Sequence, residues 1–284
     1  MSSRELCFVW GPPLSGQRYW MHQTARATEA GKKAELLSLE AYSDGATPLE
    51  ALLERVGALL ETGDFDHLYC ELPWSILDED ILLEEWIASR PELREPNASC
   101  SLSFVGLCPA DAERLPQSVR TGLEEFSRAA RSAVIVPRVK GGAEGPPSWW
   151  GTPLLDFGRL VEVFEEDLWP AESEEVRGEA HKAKLDDLQA LTIPVQGTRE
   201  TYVEIFRDLC GGRYGAIWGA EVAWRNEAGV FEALTLSQGR LYSWTSHHPS
   251  LERSAPANGA LFHVAGDLER SAELLSALRA QTFC

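Results

Sequence analysis

Long apolar runs, paired cysteines and excess basic charge are all missing from this 284-residue sequence. No window approaches the 18 consecutive apolar residues of a membrane-spanning helix, and the first residues lack the basic and apolar regions of a signal peptide, so neither is expected. The six cysteines contain no C-x-x-C pair. Cys7 and Cys70 lie in apolar runs, as buried reduced thiols commonly do. This cysteine pattern predicts a cytoplasmic protein rather than a disulfide framework.

Basic residues are outnumbered, because 26 Lys and Arg against 44 Asp and Glu give a formal net charge of −18. A field of that sign repels nucleic acid and anionic membrane surfaces, so we expect neither as a partner. The acidity concentrates in residues 162–179, EVFEEDLWPAESEEVRGE. We interpret this segment as a solvated helix and linker. The alternative is an acidic docking surface for a basic partner or for divalent cations.

The first part of the chain alternates short apolar runs with helical segments. Strands are predicted at 5–10, 34–41, 67–72, 101–107 and 133–139, and helices at 16–30, 47–63, 77–90, 116–132 and 154–169. Continuous apolar strands that alternate with helices favour a mostly parallel sheet with helices on both faces. We therefore predict an α/β domain over residues 1–185.

The pattern changes near residue 190. A strand is predicted at 190–197 and a helix at 199–212, and residues 214–246 have the pattern of three antiparallel strands. A further strand at 259–267 and a closing helix at 268–283 complete the chain. We predict a small α+β domain over residues 186–284.

Residues 8–20, FVWGPPLSGQRYW, place a glycine loop between the first strand and the first helix. The G-x-x-x-x-G spacing is that of a phosphate-binding loop, in which the helix N-terminus offers free amides and a partial positive charge. Such a loop lies at the carboxyl end of the strands, where open α/β sheets bind their ligands. The candidate phosphate-contacting residues are Gly11, Ser15, Gly16, Gln17 and Arg18.

The loop departs from the usual pattern at three positions. The lysine that neutralises phosphate charge and the Ser/Thr that holds Mg²⁺ are replaced by Gln17 and Arg18. Arg18 can still pair with an anion bidentately from the first turn of the helix. Leu14 stands where glycine is usual, and a positive φ there would cost about 1 kcal/mol. We therefore expect this loop to take a different shape.

Glu71 is the candidate catalytic or metal-holding acid, because it ends the third predicted strand. The alternative is a helix-capping or salt-bridged carboxylate. The adjacent pair His247 and His248 is weak evidence for a metal site, and no metal-ligand set is predicted. Trp10, Trp20 and Trp74 are expected near the loop, either as packing or as filling of a former nucleotide pocket.

Residues 63–80, GDFDHLYCELPWSILDED, resemble the Walker B region of the CobW-like GTPases, which are metallochaperone relatives of UreG and HypB. Four residues fall in register with that region: Phe65, Asp66, His67 and Glu71. Trp74 replaces the family's glycine that senses the γ-phosphate. Residues 126–141, FSRAARSAVIVPRVKG, resemble the segment leading to the guanine-reading N-K-x-D motif, which here has become Pro137-Arg138-Val139-Lys140.

The last part of the chain resembles the family's C-terminal domain. The matching segments are IWGAEVAW (217–224), LSQGRLYSW (236–244) and ALFHVAGDLERSAELLSAL (260–278). The family's C-x-C-C metal motif is missing, since residues 34–63 contain no cysteine. The resemblance implies a P-loop GTPase fold followed by a CobW-type C-terminal domain, with GTP and Mg²⁺ as the cofactors of that family.

These residues favour a CobW-like protein with a degenerate nucleotide site that works by binding or scaffolding rather than by hydrolysis. We expect it to act with a protein partner, and its resemblance connects it to metal homeostasis. Two alternatives remain open. One is a divergent GTPase or nucleotide-binding metallochaperone, and the other is a small-anion binder at residues 11–18.

Overall fold

The fold is taken from a computed structural model of the chain, which describes residues 4–14, 16–26, 28, 31–37, 48–73, 80–93, 98–109, 112–129, 132–136, 173–175, 178, 180, 183–237, 240–246 and 259–280. The predicted helix at 154–169 and the pair His247 and His248 lie outside these residues. The chain divides into two compact units, formed by residues 1–108, 122–136 and 148–161 and by residues 109–121, 137–147 and 162–284. The domain boundary between 185 and 186 stays a prediction.

The first unit contains a five-stranded sheet in the order β2-β3-β1-β4-β5. Its strands are β1 (Arg4–Trp10), β2 (Ala34–Leu37), β3 (His67–Glu71), β4 (Cys100–Pro109) and β5 (Ser132–Val136). Strand β1 runs parallel to β3 and β4, and β2 runs parallel to β3. The helices along this stretch of chain are α1 (Gln17–Arg26), α2 (Pro48–Thr62), α3 (Asp80–Ser89) and α4 (Gln117–Ala129).

Strand β1 is central and covered on both faces, which explains its continuous apolar sequence. Leu6, Phe8, Val9 and Trp10 have no exposed surface. The chain leaves β1 toward β2 on one side and leaves β3 toward β4 on the other, so right-handed crossovers place α1 and α3 on opposite faces. The carboxyl end of β1 therefore lies at a topological switch point, where α/β sheets bind ligands.

The second unit contains a six-stranded sheet in the order β6-β10-β9-β8-β11-β7. Its strands are β6 (Ser173–Glu175), β7 (Gln189–Val195), β8 (Ala216–Arg225), β9 (Phe231–Ser237), β10 (Arg240–Ser246) and β11 (Ala260–Asp267). All neighbouring strands pair antiparallel. Helices α5 (Arg199–Cys210) and α6 (Ser271–Ala280) bury their apolar side chains against one face of this sheet. The predicted fold class, a mostly parallel α/β sheet followed by a small α+β unit, is confirmed.

Strand β6 corrects the interpretation of residues 162–179 as a solvated helix and linker at three positions, Ser173–Glu175. Ser173–Glu175 pairs antiparallel with β10 at the edge of the second sheet. The register places Glu175 opposite Arg240 in this pairing. Most of the remaining acidic segment lies outside the described residues.

A row of polar residues crosses the second sheet. Register places Thr192, His263, Glu221 and Thr235 side by side on four adjacent strands. The Thr192 hydroxyl lies 2.9 Å from His263 Nδ1, and the Thr235 hydroxyl donates to Glu221 Oε2 at 2.8 Å. Glu221 and His263 are each only 7% exposed, so these hydrogen bonds offset part of the cost of burying them.

None of the helices in the described part of the chain has the length and apolar character needed to cross a bilayer. Cys7, Cys70, Cys100 and Cys210 are free, buried thiols. Desolvation by burial, as the largest cause, raises the pKa of Cys7 to about 12 and also raises the pKa of Cys70 and Cys100. The expected burial of Cys7 and Cys70 is confirmed.

We predict that these four thiols resist alkylation in the native protein. A raised pKa lowers the thiolate fraction at pH 8, and burial keeps the reagent away from the sulfur atoms. Iodoacetamide treatment at pH 8 followed by peptide mass mapping should leave the peptides with Cys7, Cys70, Cys100 and Cys210 unmodified. The same treatment in guanidinium chloride should modify all four. Modification of Cys70 in the native protein would contradict the fold described here.

Candidate functional site

The loop after β1 keeps a left-handed backbone at the position where glycine is usual. Leu14 has a φ of 58° and Gly16 a φ of 87°. The expectation that Leu14 forces a different loop shape is therefore wrong. The strain of a left-handed leucine is about 1 kcal/mol, and such strain persists where surrounding contacts fix the backbone.

Gln17 supplies contacts of that kind. Its Nε2 donates to the carbonyl oxygen of Gly11 at 2.8 Å and to that of Pro12 at 2.7 Å. The side chain is 4% exposed. A primary amide has two N–H donors, and Gln17 directs two hydrogen bonds to the loop. The sequence indicated that Gln17 lacks the charge of the usual lysine. It did not predict that the Gln17 side chain hydrogen-bonds to the loop backbone.

Gly11 is required for steric reasons. A Cβ at this position would lie 2.8 Å from the carbonyl oxygen of Leu107 in β4 and 3.4 Å from Gln17 Nε2. The first contact is with backbone, which cannot give way cheaply. The absence of a side chain at Gly11 therefore lets the loop pack against β4 and lets Gln17 reach it.

Arg18 and Glu71 both lie at the carboxyl end of the first sheet. Arg18 is the second residue of α1 and is half-buried. Glu71 ends β3, where it pairs with Val9, and the amide of Leu72 donates to the Val9 carbonyl at 2.8 Å. Gly11 follows Val9 by two residues, so Glu71 lies beside the end of the strand from which the loop starts. Ser15, Trp74 and residues 137–140 lie outside the described residues.

Asp66 and His67 lie at the amino end of β3, at the opposite edge of the sheet from the loop. Asp66 Oδ2 accepts a hydrogen bond from the backbone amide of Lys33 at 2.8 Å. His67 Nδ1 lies 3.2 Å from a carboxylate oxygen of Glu5. These contacts fix β3 against β1 and the turn before β2, so these two residues have structural partners.

Trp10 and Trp20 pack in the first unit. Trp10 is fully buried and Trp20 is 7% exposed. The ring of Trp20 meets that of Tyr69 edge to face, with centroids 6.1 Å apart. Each tryptophan lies in a regular element beside the loop, and the Trp20 contact is a packing contact.

The residues present do not fit a magnesium–nucleotide complex of the usual P-loop type. Gln17 is neutral and its amide hydrogens bond loop carbonyls, so it brings no charge to a phosphate. Arg18 has donors only and cannot coordinate a metal. Within the described ranges, no group of three or more His, Cys, Asp or Glu side chains could hold a metal ion.

The first unit therefore has the architecture of a P-loop nucleotide-binding fold: a parallel sheet, a glycine loop after its central strand, and an acid at the end of the adjacent strand. The loop has this geometry without the lysine and hydroxyl that normally bind the phosphates and metal. The fold thus defines an α/β unit with a glycine loop between its central strand and the helix that follows.

Comparison with solved structures finds P-loop GTPases at low identity. Zn(II)-bound YjiA GTPase from E. coli matches with 12% identity, 99% coverage of each chain and a TM-score of 0.35. FtsY from Elizabethkingia anophelis with GDP matches 59% of this chain and 55% of its own at 10% identity and a TM-score of 0.35. FlhF with GMPPNP and Mg²⁺ matches 59% and 63% at 11% identity and a TM-score of 0.33. No protein-family model and no curated protein sequence matches the chain.

The variant Gln17→Glu tests whether the two hydrogen bonds from Gln17 to the loop carbonyls stabilise the protein. A buried carboxylate cannot donate to the two carbonyls, so we expect a loss of about 2 to 3 kcal/mol in the free energy of unfolding. Gln17→Lys keeps donors and should lose less. Urea unfolding measures both, and Gln117→Glu, at an exposed position in α4, is the matched control with a change within about 0.5 kcal/mol. Equal stability of Gln17→Glu and wild type would refute the fastening role.

Proposed function

We propose that this protein is a CobW-like, P-loop-derived binding protein whose first unit does not hydrolyse nucleotides. The observation that supports this most directly is the hydrogen bonding of Gln17. Gln17 stands where the phosphate-binding lysine is usual, and its side-chain amide donates to two carbonyl oxygens of the loop. Phosphoryl transfer depends on positive charge and a metal at the β- and γ-phosphates. Neither Gln17 nor Arg18 can hold the metal.

We propose that the second unit corresponds to the CobW-type C-terminal domain. The three segments that carry the resemblance form neighbouring parts of one antiparallel sheet. Residues 217–224 lie in β8, residues 236–244 span β9 and β10, and residues 260–267 form β11. Their order along the chain and their adjacency in the sheet support this assignment.

The protein is proposed to act as a scaffold for a protein partner in the cytoplasm. The net charge of −18 supports a partner with a basic surface, because opposite charges steer association. The link to metal homeostasis rests on the resemblance alone. A partner held in this way should dissociate as salt is raised, since exposed charges are screened within about 10 Å at 0.1 M salt.

A small-anion binder at residues 11–18 is the second candidate. Leu14 and Gly16 retain left-handed backbones, and Arg18 lies in the first turn of α1. A loop of this shape together with a helix N-terminus and an arginine suits a phosphate or sulfate ion. Inorganic phosphate without Mg²⁺ separates this candidate from a divergent GTPase, which requires the metal.

Restoring the lost residues tests the proposed function. Wild type should show no Mg²⁺-dependent change in melting temperature with GTP or ATP and no hydrolysis. The double variant Gln17→Lys/Arg18→Thr supplies both missing groups and should gain nucleotide-dependent stability, worth about 2.7 kcal/mol at a ligand concentration of 100 Kd. Gln117→Lys/Arg120→Thr, in α4, is the control for the charge change.

Two results would contradict the proposal. The first is saturable, Mg²⁺-dependent stabilisation of the wild-type protein by a nucleotide. The second is hydrolysis by the wild-type protein that Glu71→Gln abolishes, which would make Glu71 a catalytic residue and favour the divergent GTPase.

A further inference from the structure

A cavity of about 530 Å³ opens at one end of the six-stranded sheet in the second unit. It is formed by the segment between β7 and α5, the first turn of α5, and the ends of β8, β9 and β11. Pockets that bind small molecules range from about 300 to 1,000 Å³. The cavity therefore has the size of a small-molecule site, and it belongs to a different part of the chain from the loop at residues 11–18.

Two aromatic rings form an apolar wall of this cavity. Tyr202 from α5 is 3% exposed, whereas Trp224 near the end of β8 is only partly buried. Their ring centroids are 6.0 Å apart and their planes are tilted by 34°. Tyr202 is fixed in the core, and Trp224 leaves part of its ring surface accessible. A planar group of a ligand can stack against such a surface.

The charges around the cavity favour an anion. Arg199 and Arg225 both line it, and Glu232 is the carboxylate of the lining. Glu232 Oε1 accepts a hydrogen bond from Asn226 Nδ2 at 2.7 Å. Arg225 Nε is buried and has no hydrogen-bond partner in the structure. A buried N–H of a charged group without a partner is costly, so a bound acceptor that draws the Arg225 guanidinium toward the cavity relieves that cost.

Two backbone amides at the N-terminus of α5 have partners among its own side chains. The Thr198 hydroxyl accepts from the amide of Thr201 at 3.4 Å. The carboxylate of Glu200 accepts from its own backbone amide, which is the largest cause that lowers its pKa. We therefore expect Arg199 and Arg225, rather than these two helix amides, to contact a ligand anion.

We propose that this cavity binds a small organic anion that carries a planar ring. The carboxylate or phosphate of the ligand accepts from Arg225, and its ring lies against Trp224. An arginine binds such groups through two parallel hydrogen bonds, and the ring contact adds apolar burial. The site does not depend on the proposed function of the first unit.

Four probe ligands separate the contribution of the anionic group to affinity from that of the ring. Calorimetric titration of the full chain measures the affinity for each ligand. Indole-3-carboxylate and guanosine 5′-monophosphate carry both features, guanosine carries the ring alone, and inorganic phosphate the anion alone. At least one of the two ringed anions should bind saturably and at least about tenfold more tightly than guanosine or phosphate. Which of them binds distinguishes a carboxylate from a phosphate ligand.

Three variants assign the binding to the cavity. Arg225→Gln should lower the affinity for the ringed anion about tenfold or more. Arg225→Lys should retain part of that affinity because it keeps the charge. Trp224→Leu should lower the affinity for the ringed anion without changing the affinity for phosphate. Arg279→Gln, at an exposed position in α6, is the matched control and should bind like wild type. Circular dichroism confirms that each variant is folded.

The proposal is overturned if neither ringed anion binds at millimolar concentration, or if folded Arg225→Gln binds as tightly as wild type. Binding of guanosine equal to that of its monophosphate would also overturn it. If anion binding is lost in Arg18→Gln and kept in Arg225→Gln, the anion site is the loop at residues 11–18. That result would reject this inference and leave the small-anion candidate of the first unit standing.

Discussion

The two hydrogen bonds from the Gln17 amide to the carbonyl oxygens of Gly11 and Pro12 determine the form of the loop after β1. They join the start of α1 to the end of β1, and they are buried, so water does not compete for them. Gly11 has room to approach Leu107 only because it lacks a side chain. The left-handed Leu14 is held between these fixed points. The left-handed backbone at Leu14 and Gly16 is thus maintained by contacts within the protein.

The same bonds hold the loop without a charged side chain at this position. A lysine has three donors and a charge, so it can bond two carbonyls and still attract a phosphate. A glutamine has two amide donors, and the loop accepts a hydrogen bond at two carbonyls. Gln17 therefore makes both contacts without bringing a positive charge to the loop. The loop geometry at Leu14 and Gly16 then says little by itself about whether nucleotide is bound.

Most of the fold was predictable because it rests on local patterns. Continuous apolar runs and capped helical segments predicted the strands and helices of both units. The backbone at Leu14 was not predicted, because a steric cost of about 1 kcal/mol is small beside the two buried hydrogen bonds from Gln17, and the sequence does not define how that side chain is oriented. Strand β6 was missed because Ser173–Glu175 has no apolar signal. The row from Thr192 to Thr235 depends on the register of three strand pairings, which sequence spacing does not define.

Gln17 in the first unit and Arg225 in the second unit use their hydrogen-bond donors differently. In the first unit the amide of Gln17 bonds the protein's own carbonyls, so a ligand at this position would have to displace two buried hydrogen bonds. In the second unit Arg225 Nε is buried beside a cavity and has no acceptor in the structure. A bound anion would remove a penalty there, whereas it would create one at Gln17. An anion at the cavity is therefore expected to gain from the Arg225 guanidinium, whereas the Gln17 amide already uses its donors within the loop.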